Sequence, residues 1–146
     1  MSEETREPHK HTGFLLRRAQ QKHVATWQSV VDGDITSVQY GVLAVLSRRN
    51  GIAQKEICEE LDLDRSTVAD VCSRMEKSGL VTRTPAVADR RRNVLELTAA
   101  GSAELSRLRP LVEQVQTKMT QVLSPEEHEH LRKLLTKLLA MQEPPK

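Results

Sequence analysis

The chain lacks any run of about 18 apolar residues, so no membrane span is expected. It opens Met1-Ser-Glu-Glu, acidic where a signal peptide would be basic, which points to the cytoplasm. A whole-protein charge field is absent as well: 22 basic against 20 acidic residues leave a net charge of +2, so any affinity for a polyanion must come from local placement. Only two cysteines occur, Cys58 and Cys72, without CxxC or Cys/His ligand spacing, and both fall on apolar helix faces as small core residues. No Ser/His or Cys/His pair has a suitable neighbourhood, no glycine loop cradles phosphate and no HExxH is present. Nothing here reads as an enzyme, and no cofactor is implied. Aromatic residues number three, Phe14, Trp27 and Tyr40, which makes the position of each informative.

What is present is concentrated between residues 52 and 98. Gln54 to Leu61 sets Ile57, Cys58 and Leu61 at helical spacing, and Asp62-Leu63-Asp64 interrupts the pattern. Asp64 is placed to cap the next helix, where a short carboxylate accepts from unpaired first-turn amides. Val68, Val71, Cys72 and Met75 then form one apolar stripe at i, i+3, i+4, i+7. That leaves Arg65, Ser66, Thr67, Ala69, Asp70, Ser73 and Arg74 facing outward. Cations, hydroxyls and small residues on one face suit a DNA major groove, where Arg pairs with guanine and hydroxyls reach phosphates and bases. Ser78-Gly79 stops the helix.

Leu80–Thr84 and Asn93–Leu97 read as two short strands joined by a polar stretch ending Asp89-Arg90-Arg91-Arg92. Three adjacent arginines repel one another unless an anion or carboxylate lies close by, so phosphate or a narrow minor groove is the expected partner. Asp89 can hold one of them. A solvated basic loop is the plainer alternative. From 64 to 92 the balance is seven basic to four acidic residues, which makes a patch.

Three segments, Leu61-x-Leu-Asp-x-Ser-Thr-Val, Met75-Glu-x-x-Gly-Leu-Val-x-Arg83 and Asp89-Arg-Arg-x-x-Val-x-Glu-Leu-Thr98, resemble the MarR family of bacterial transcriptional regulators. Their most specific element is Asp-x-Arg, here Asp89 and Arg91. The resemblance implies that Arg91 enters the minor groove with Asp89 fixing its posture, while the helix from Arg65 to Lys77 reads the major groove. Some MarR-like regulators sense oxidants through a cysteine in the first helix, where this chain has none. A redox pair of Cys58 and Cys72 remains as an alternative reading, as does a winged helix whose arginines meet an acidic protein.

Residues 1–10 read as a polar arm, and helix is expected from Phe14. Leu16, Gln20, His23, Trp27 and Val30 share one face, either a packed stripe with a satisfied histidine or the wall of a ligand pocket. Arg17 and Arg18 follow two leucines, and a guanidinium held partly out of water grips a planar carboxylate by two parallel bonds. Two surface arginines are the alternative. Gly13-Phe-Leu-Leu-Arg-Arg-Ala-Gln is similar to the first helix of MarR-like regulators that answer to phenolic and other aromatic carboxylic acids. By that resemblance Arg17 takes the carboxylate and His23 a ring hydroxyl, although six residues at 100° each set them about 120° apart around the helix. Tyr40, on a helix capped by Thr36, can reach the same cleft as Trp27 or simply pack.

After Thr98 a long helix to about Gln121 carries Leu105, Leu108, Leu111, Val112, Val115, Met119 and Val122, with Pro110 inside it. Ser124-Pro125-Glu126-Glu127 is a helix N-terminus. The last helix bears Leu131, Leu134, Leu135, Leu138, Leu139 and Met141, more apolar surface than a small monomer hides. With Phe14 and Leu15 it is expected to form a homodimer interface, placing two reading helices roughly 34 Å apart on a palindromic operator in double-stranded DNA. His9, His11, His128 and His130 make a poor metal set. The expected architecture is mostly α with a small β-wing, one MarR-like domain over 1–146. Dimerisation helices at 11–31 and 99–143 flank a winged helix-turn-helix at 36–98, with its recognition helix at 64–78 and wing at 85–93.

Overall fold

The computed structural model describes residues 7–89 and 91–140. Arg90, Met141, the remainder of the expected last helix to 143 and the first six residues of the expected arm lie outside the described residues. The elements in order are α1 (Thr12–Val30), α2 (Ser37–Arg48), β1 (Ile52–Ala53), α3 (Gln54–Leu61), α4 (Arg65–Lys77), β2 (Val81–Pro85), β3 (Asn93–Leu97), α5 (Ala99–Thr120) and α6 (Pro125–Leu139). The chain divides into two compact units, Trp27–Glu113 and the combination of Met1–Thr26 with Gln114–Lys146. Among the described residues, no helix is long and apolar enough to cross a membrane.

In the first of these units, α2 begins with a complete capping box. Thr36 Oγ1 accepts from Gln39 N–H at 3.2 Å, and the Gln39 side chain accepts from Thr36 N–H at 2.9 Å. The helix buries Val42, Leu43, Val45 and Leu46 and leaves Val38 half-buried. Helix α3 ends at Asp62 in the left-handed conformation (φ 52°), which an Asp tolerates better than most residues because its short side chain bonds locally. Two residues later Asp64 caps α4: one carboxylate oxygen accepts from Thr67 N–H at 3.1 Å, the other from the Thr67 hydroxyl at 2.5 Å, and Ser66 Oγ donates to the first. Val68, Cys72 and Met75 from the α4 stripe are fully buried together with Ile57 of α3 and Leu95 of β3. Val71 and Leu61, at the edges of their stripes, are half-buried.

The sheet is antiparallel in the order β1-β3-β2, with Ile52 opposite Leu95 and Val81 opposite Leu97. β1 was not among the expected strands. At two residues it is too short to show an alternating pattern, and only its pairing to β3 defines it. β2 extends through Pro85, one residue into the stretch expected to be loop, pairing with Asn93. A hydrogen-bonded junction joins the chain just after α4 to the start of α5. Leu80 O accepts from Thr98 N–H at 3.1 Å, Thr98 Oγ1 donates to Gly79 O at 2.6 Å, and Gly101 N–H donates back to Thr98 Oγ1 at 3.0 Å.

In the other unit, α6 starts with a second capping box, Ser124 with Glu127, and Pro125 in the first turn. Its leucines are largely in water: Leu134, Leu138 and Leu139 are 52%, 51% and 78% exposed, and Leu15 of α1 is 49% exposed. Of the positions expected on the long helix, Leu105 and Leu108, which belong to the Trp27–Glu113 unit, and Val115 are buried, and Val122, beyond the end of α5, is exposed. α5 runs unbroken through Pro110.

Candidate nucleic-acid interface

Packing the α4 stripe inward fixes what the helix shows outward. Arg65, Ser66, Asp70 and Arg74 are exposed, and Thr67 and Ser73 are half-buried. Their surroundings differ. Ser66 and Thr67 serve the Asp64 cap, so their hydroxyls are oriented by that carboxylate. Asp70 and Arg74 stand one turn apart and pair, Arg74 Nε lying 3.2 Å from Asp70 Oδ2. The three groups donating to Asp64 hold its carboxyl well below the usual carboxylate range, the Ser66 hydroxyl having the largest effect.

The wing closes on two backbone bonds, Ala86 N–H to Arg92 O at 2.7 Å and Arg92 N–H to Asp89 O at 3.0 Å. Within that loop Asp89 Oδ1 accepts from Arg91 N–H at 3.0 Å and lies 3.5 Å from Arg91 Nε. The guanidinium of Arg91 otherwise stands in solvent, its side chain 94% exposed.

Sheet pairing brings the wing beside the first turn of α3. There Gln54, Lys55, Arg65, Arg91, Arg92 and Asn93 line a cleft of about 440 Å³ that joins wing to recognition helix. Four cations on one concavity concentrate positive potential far beyond what a net charge of +2 suggests. Lys55, Gln54 and Asn93 were not among the residues singled out from the sequence. The available signal was weak: a lysine at the start of a short helix, with no indication that the distant arginine run folds against it.

One carboxylate, that of Glu56, reaches a residue of this cleft. Glu56 lies 3.9 Å from Arg92 and 2.8 Å from Arg49, the residue that closes α2, and Arg49 and Arg48 reach Glu60 at 2.8 and 2.7 Å. The two arginines hold the Glu60 carboxyl below its ordinary value, Arg49 more than Arg48. Arg83 is spent on architecture, donating to Glu76 at 3.3 Å and Gln54 at 3.4 Å. Cys58 opens onto the cleft half-buried, whereas Cys72 is fully buried and its thiol is pushed up to about 11, chiefly by that burial.

The residues expected to hold a small molecule fall in both units. Arg17 and Arg18 are exposed on α1 and His23 is half-buried there. In the other unit Trp27 is buried, its Nε1–H donating to Ile35 O at 2.8 Å, with the Tyr40 ring 6.1 Å away at a 52° tilt. The indole thus has its polar handle engaged by the turn before α2 and keeps its ring against Tyr40.

A hairpin wing beside an exposed, N-capped second helix of a helix-turn-helix defines a winged helix-turn-helix protein. Residues 33–92 match the profile described as the MarR family. The transcriptional regulator HosA of Escherichia coli is 35% identical over 124 residues, covering 85% of this chain and 91% of HosA. The PcaV transcriptional regulator from Streptomyces coelicolor, solved in complex with its natural ligand, matches with a TM-score of 0.87 at 33% identity, covering 91% of this chain and 94% of PcaV. BpsR of Bordetella bronchiseptica, whose DNA binding is regulated by 6-hydroxynicotinic acid, gives a TM-score of 0.88 at 29% identity over 94% of this chain and 99% of BpsR. The chain belongs to the MarR family of transcriptional regulators and is not an enzyme.

Proposed function

We propose that this regulator is a homodimeric repressor that grips a palindromic operator and is released from it by a small aromatic carboxylate. The observation that carries the DNA contact is the cationic cleft, where Arg65 of the recognition helix and Arg91 and Arg92 of the wing line one concavity. On duplex DNA, Arg65, Ser66, Thr67, Asp70, Ser73 and Arg74 face the major groove. Arg91, set by Asp89, enters the adjacent minor groove, and Arg90 and Arg92 meet phosphates.

Dimerisation through 11–31 and 99–143 is supported by the exposed Leu15, Leu134 and Leu138, apolar surface that a second copy would remove from water. The two-fold axis then sets two recognition helices about one DNA turn apart. For the effector, PcaV and BpsR are relatives with bound or regulating small molecules, and that of BpsR is an aromatic acid. Arg17 takes the carboxylate and His23 a ring hydroxyl, with Arg18, Trp27 and Tyr40 as the other candidate contacts. Release requires that the ligand favour a spacing of the reading helices that no longer matches consecutive major grooves. A coupling of about 1 to 3 kcal/mol would weaken binding several-fold to about a hundredfold.

Binding of the full-length protein to its own upstream DNA, measured with and without a panel of benzoates and hydroxynicotinates, tests the reading. At least one acid is expected to raise the melting temperature and release DNA. Arg17→Ala should bind DNA as the wild type does and resist release. Retained release removes Arg17 from the effector site, and no response to any acid overturns the aromatic-acid reading.

A further inference from the structure

Glu56 follows Lys55 in the first turn of α3, so a carboxylate adjoins a cleft whose lining includes the cations Lys55, Arg65, Arg91 and Arg92. Its two oxygens have unequal partners. Oε2 accepts from Arg49 at 2.8 Å, and Arg49 is itself anchored to Glu60 at 2.8 Å, whereas Oε1 reaches Arg92 of the wing only at 3.9 Å. The short bonds tie the carboxylate to the α2–α3 body. The long one, to a guanidinium whose side chain is 52% exposed, is the kind of contact that a competing anion replaces readily.

We propose that Glu56 is a built-in counter-ion for the wing, occupying Arg92 in the free protein and yielding it to a phosphate when the wing meets a duplex. This rests on the DNA-binding reading above and adds a positioning residue to it. Arg49 is what makes the exchange work: once Arg92 leaves, Glu56 is still neutralised from behind, so no unpaired carboxylate is left facing the DNA backbone. Phosphates carry no sequence, so the competition weakens binding to every duplex alike. Glu56 therefore lowers operator and non-specific affinity by the same factor: it leaves their ratio unchanged and raises the amount of base-edge contact needed for stable occupancy at a given salt.

The test uses fluorescence anisotropy of a labelled mixed-sequence duplex of about 30 base pairs, titrated with full-length protein over a range of KCl concentrations. Glu56→Gln is expected to bind roughly two- to fivefold tighter than wild type. Its plot of log K against log [KCl] should steepen by up to about one unit, as Arg92 makes a full phosphate contact. Glu60→Gln removes the same charge and two arginine contacts from the same cluster without touching Arg92, and is expected to keep the wild-type affinity and slope. In an Arg92→Ala background, Glu56→Gln should have no further effect. The inference is overturned if Glu56→Gln binds no tighter, or if its gain survives in the Arg92→Ala background, which would mean simple repulsion of DNA by the carboxylate. Failure of the wild type to bind the duplex at low salt overturns the DNA-binding reading and this inference with it; wild-type binding without the Glu56 gain overturns this inference alone.

Discussion

Asp89 holds Arg91 at two points: its Oδ1 accepts the Arg91 backbone N–H at 3.0 Å and lies 3.5 Å from the same residue's Nε. A long cation that is otherwise in solvent is thus restricted before any partner arrives, which lowers the entropy lost when it docks. Asp89→Ala leaves the charge of Arg91 in place and removes that restriction. The expected result is roughly three- to tenfold weaker duplex binding with little change in salt slope. Arg91→Ala should instead weaken binding to all sequences and flatten the slope by about one unit. Anisotropy titrations over a range of salt separate the two, and a slope change in Asp89→Ala as large as in Arg91→Ala would show that Asp89 does more than orient.

Asp64 links stability to pH. Donation by the Ser66 hydroxyl, then by the Thr67 hydroxyl and N–H, lowers its folded-state pKa. A carboxyl with a depressed folded pKa contributes stability that is fully present above its unfolded value, about 3.9, and is lost as pH falls through the folded value. Asp64→Ala should therefore melt a few degrees below wild type near neutral pH, and the gap should close progressively in acid below about pH 4. Thermal melts followed by circular dichroism give the difference directly, and a gap that is unchanged at low pH would exclude the ionised cap as its source.

A methyl group at Gly101 has no room. A Cβ there would lie 2.1 Å from the backbone oxygen of Leu80, which is itself held by Thr98 N–H at 3.1 Å. Gly101→Ala is expected to destabilise by about 1 to 3 kcal/mol despite the higher helix propensity of alanine, because backbone must move to relieve the overlap. At Gly41 the nearest atom is a Leu61 side-chain methyl at 3.2 Å, which can swing aside, so Gly41→Ala should cost less. Urea unfolding of both variants checks the order.

The cysteines carry the redox alternative, and the setting of Cys72 opposes it. Cys72 is fully buried and its thiol is raised to about 11, so almost none is thiolate at neutral pH. A chromogenic disulfide reagent should label Cys58 in the folded protein and Cys72 only after unfolding. Peroxide treatment should leave duplex affinity within about twofold of the untreated value. Loss of binding that Cys72→Ser prevents would restore the redox reading.

The reading helix was legible because its information is local. Val68, Cys72 and Met75 recur at a helical period, Asp64 precedes them as a cap, and burial of that stripe forces Arg65 and Arg74 outward. The basic wing was legible in the same way, as an arginine run between two short strands. β1 was not, since two residues hold no period, and neither was the partnership of Asp70 with Arg74, two residues that had both been assigned outward to DNA.

By itself the sequence determined the periodic and chemical facts: which faces are apolar, where helices are capped, where cations cluster along the chain, and the Asp89-x-Arg91 signature with the family it resembles. Tertiary structure decided which distant charges became neighbours. Lys55, Glu56 and Arg92 meet only because β3 pairs with β1 on one edge and β2 on the other, carrying the wing back over the start of α3. A helix writes its period into a few consecutive residues, whereas strand pairing joins segments that share no local pattern, so the cleft and its counter-ion appear only once the chain has folded.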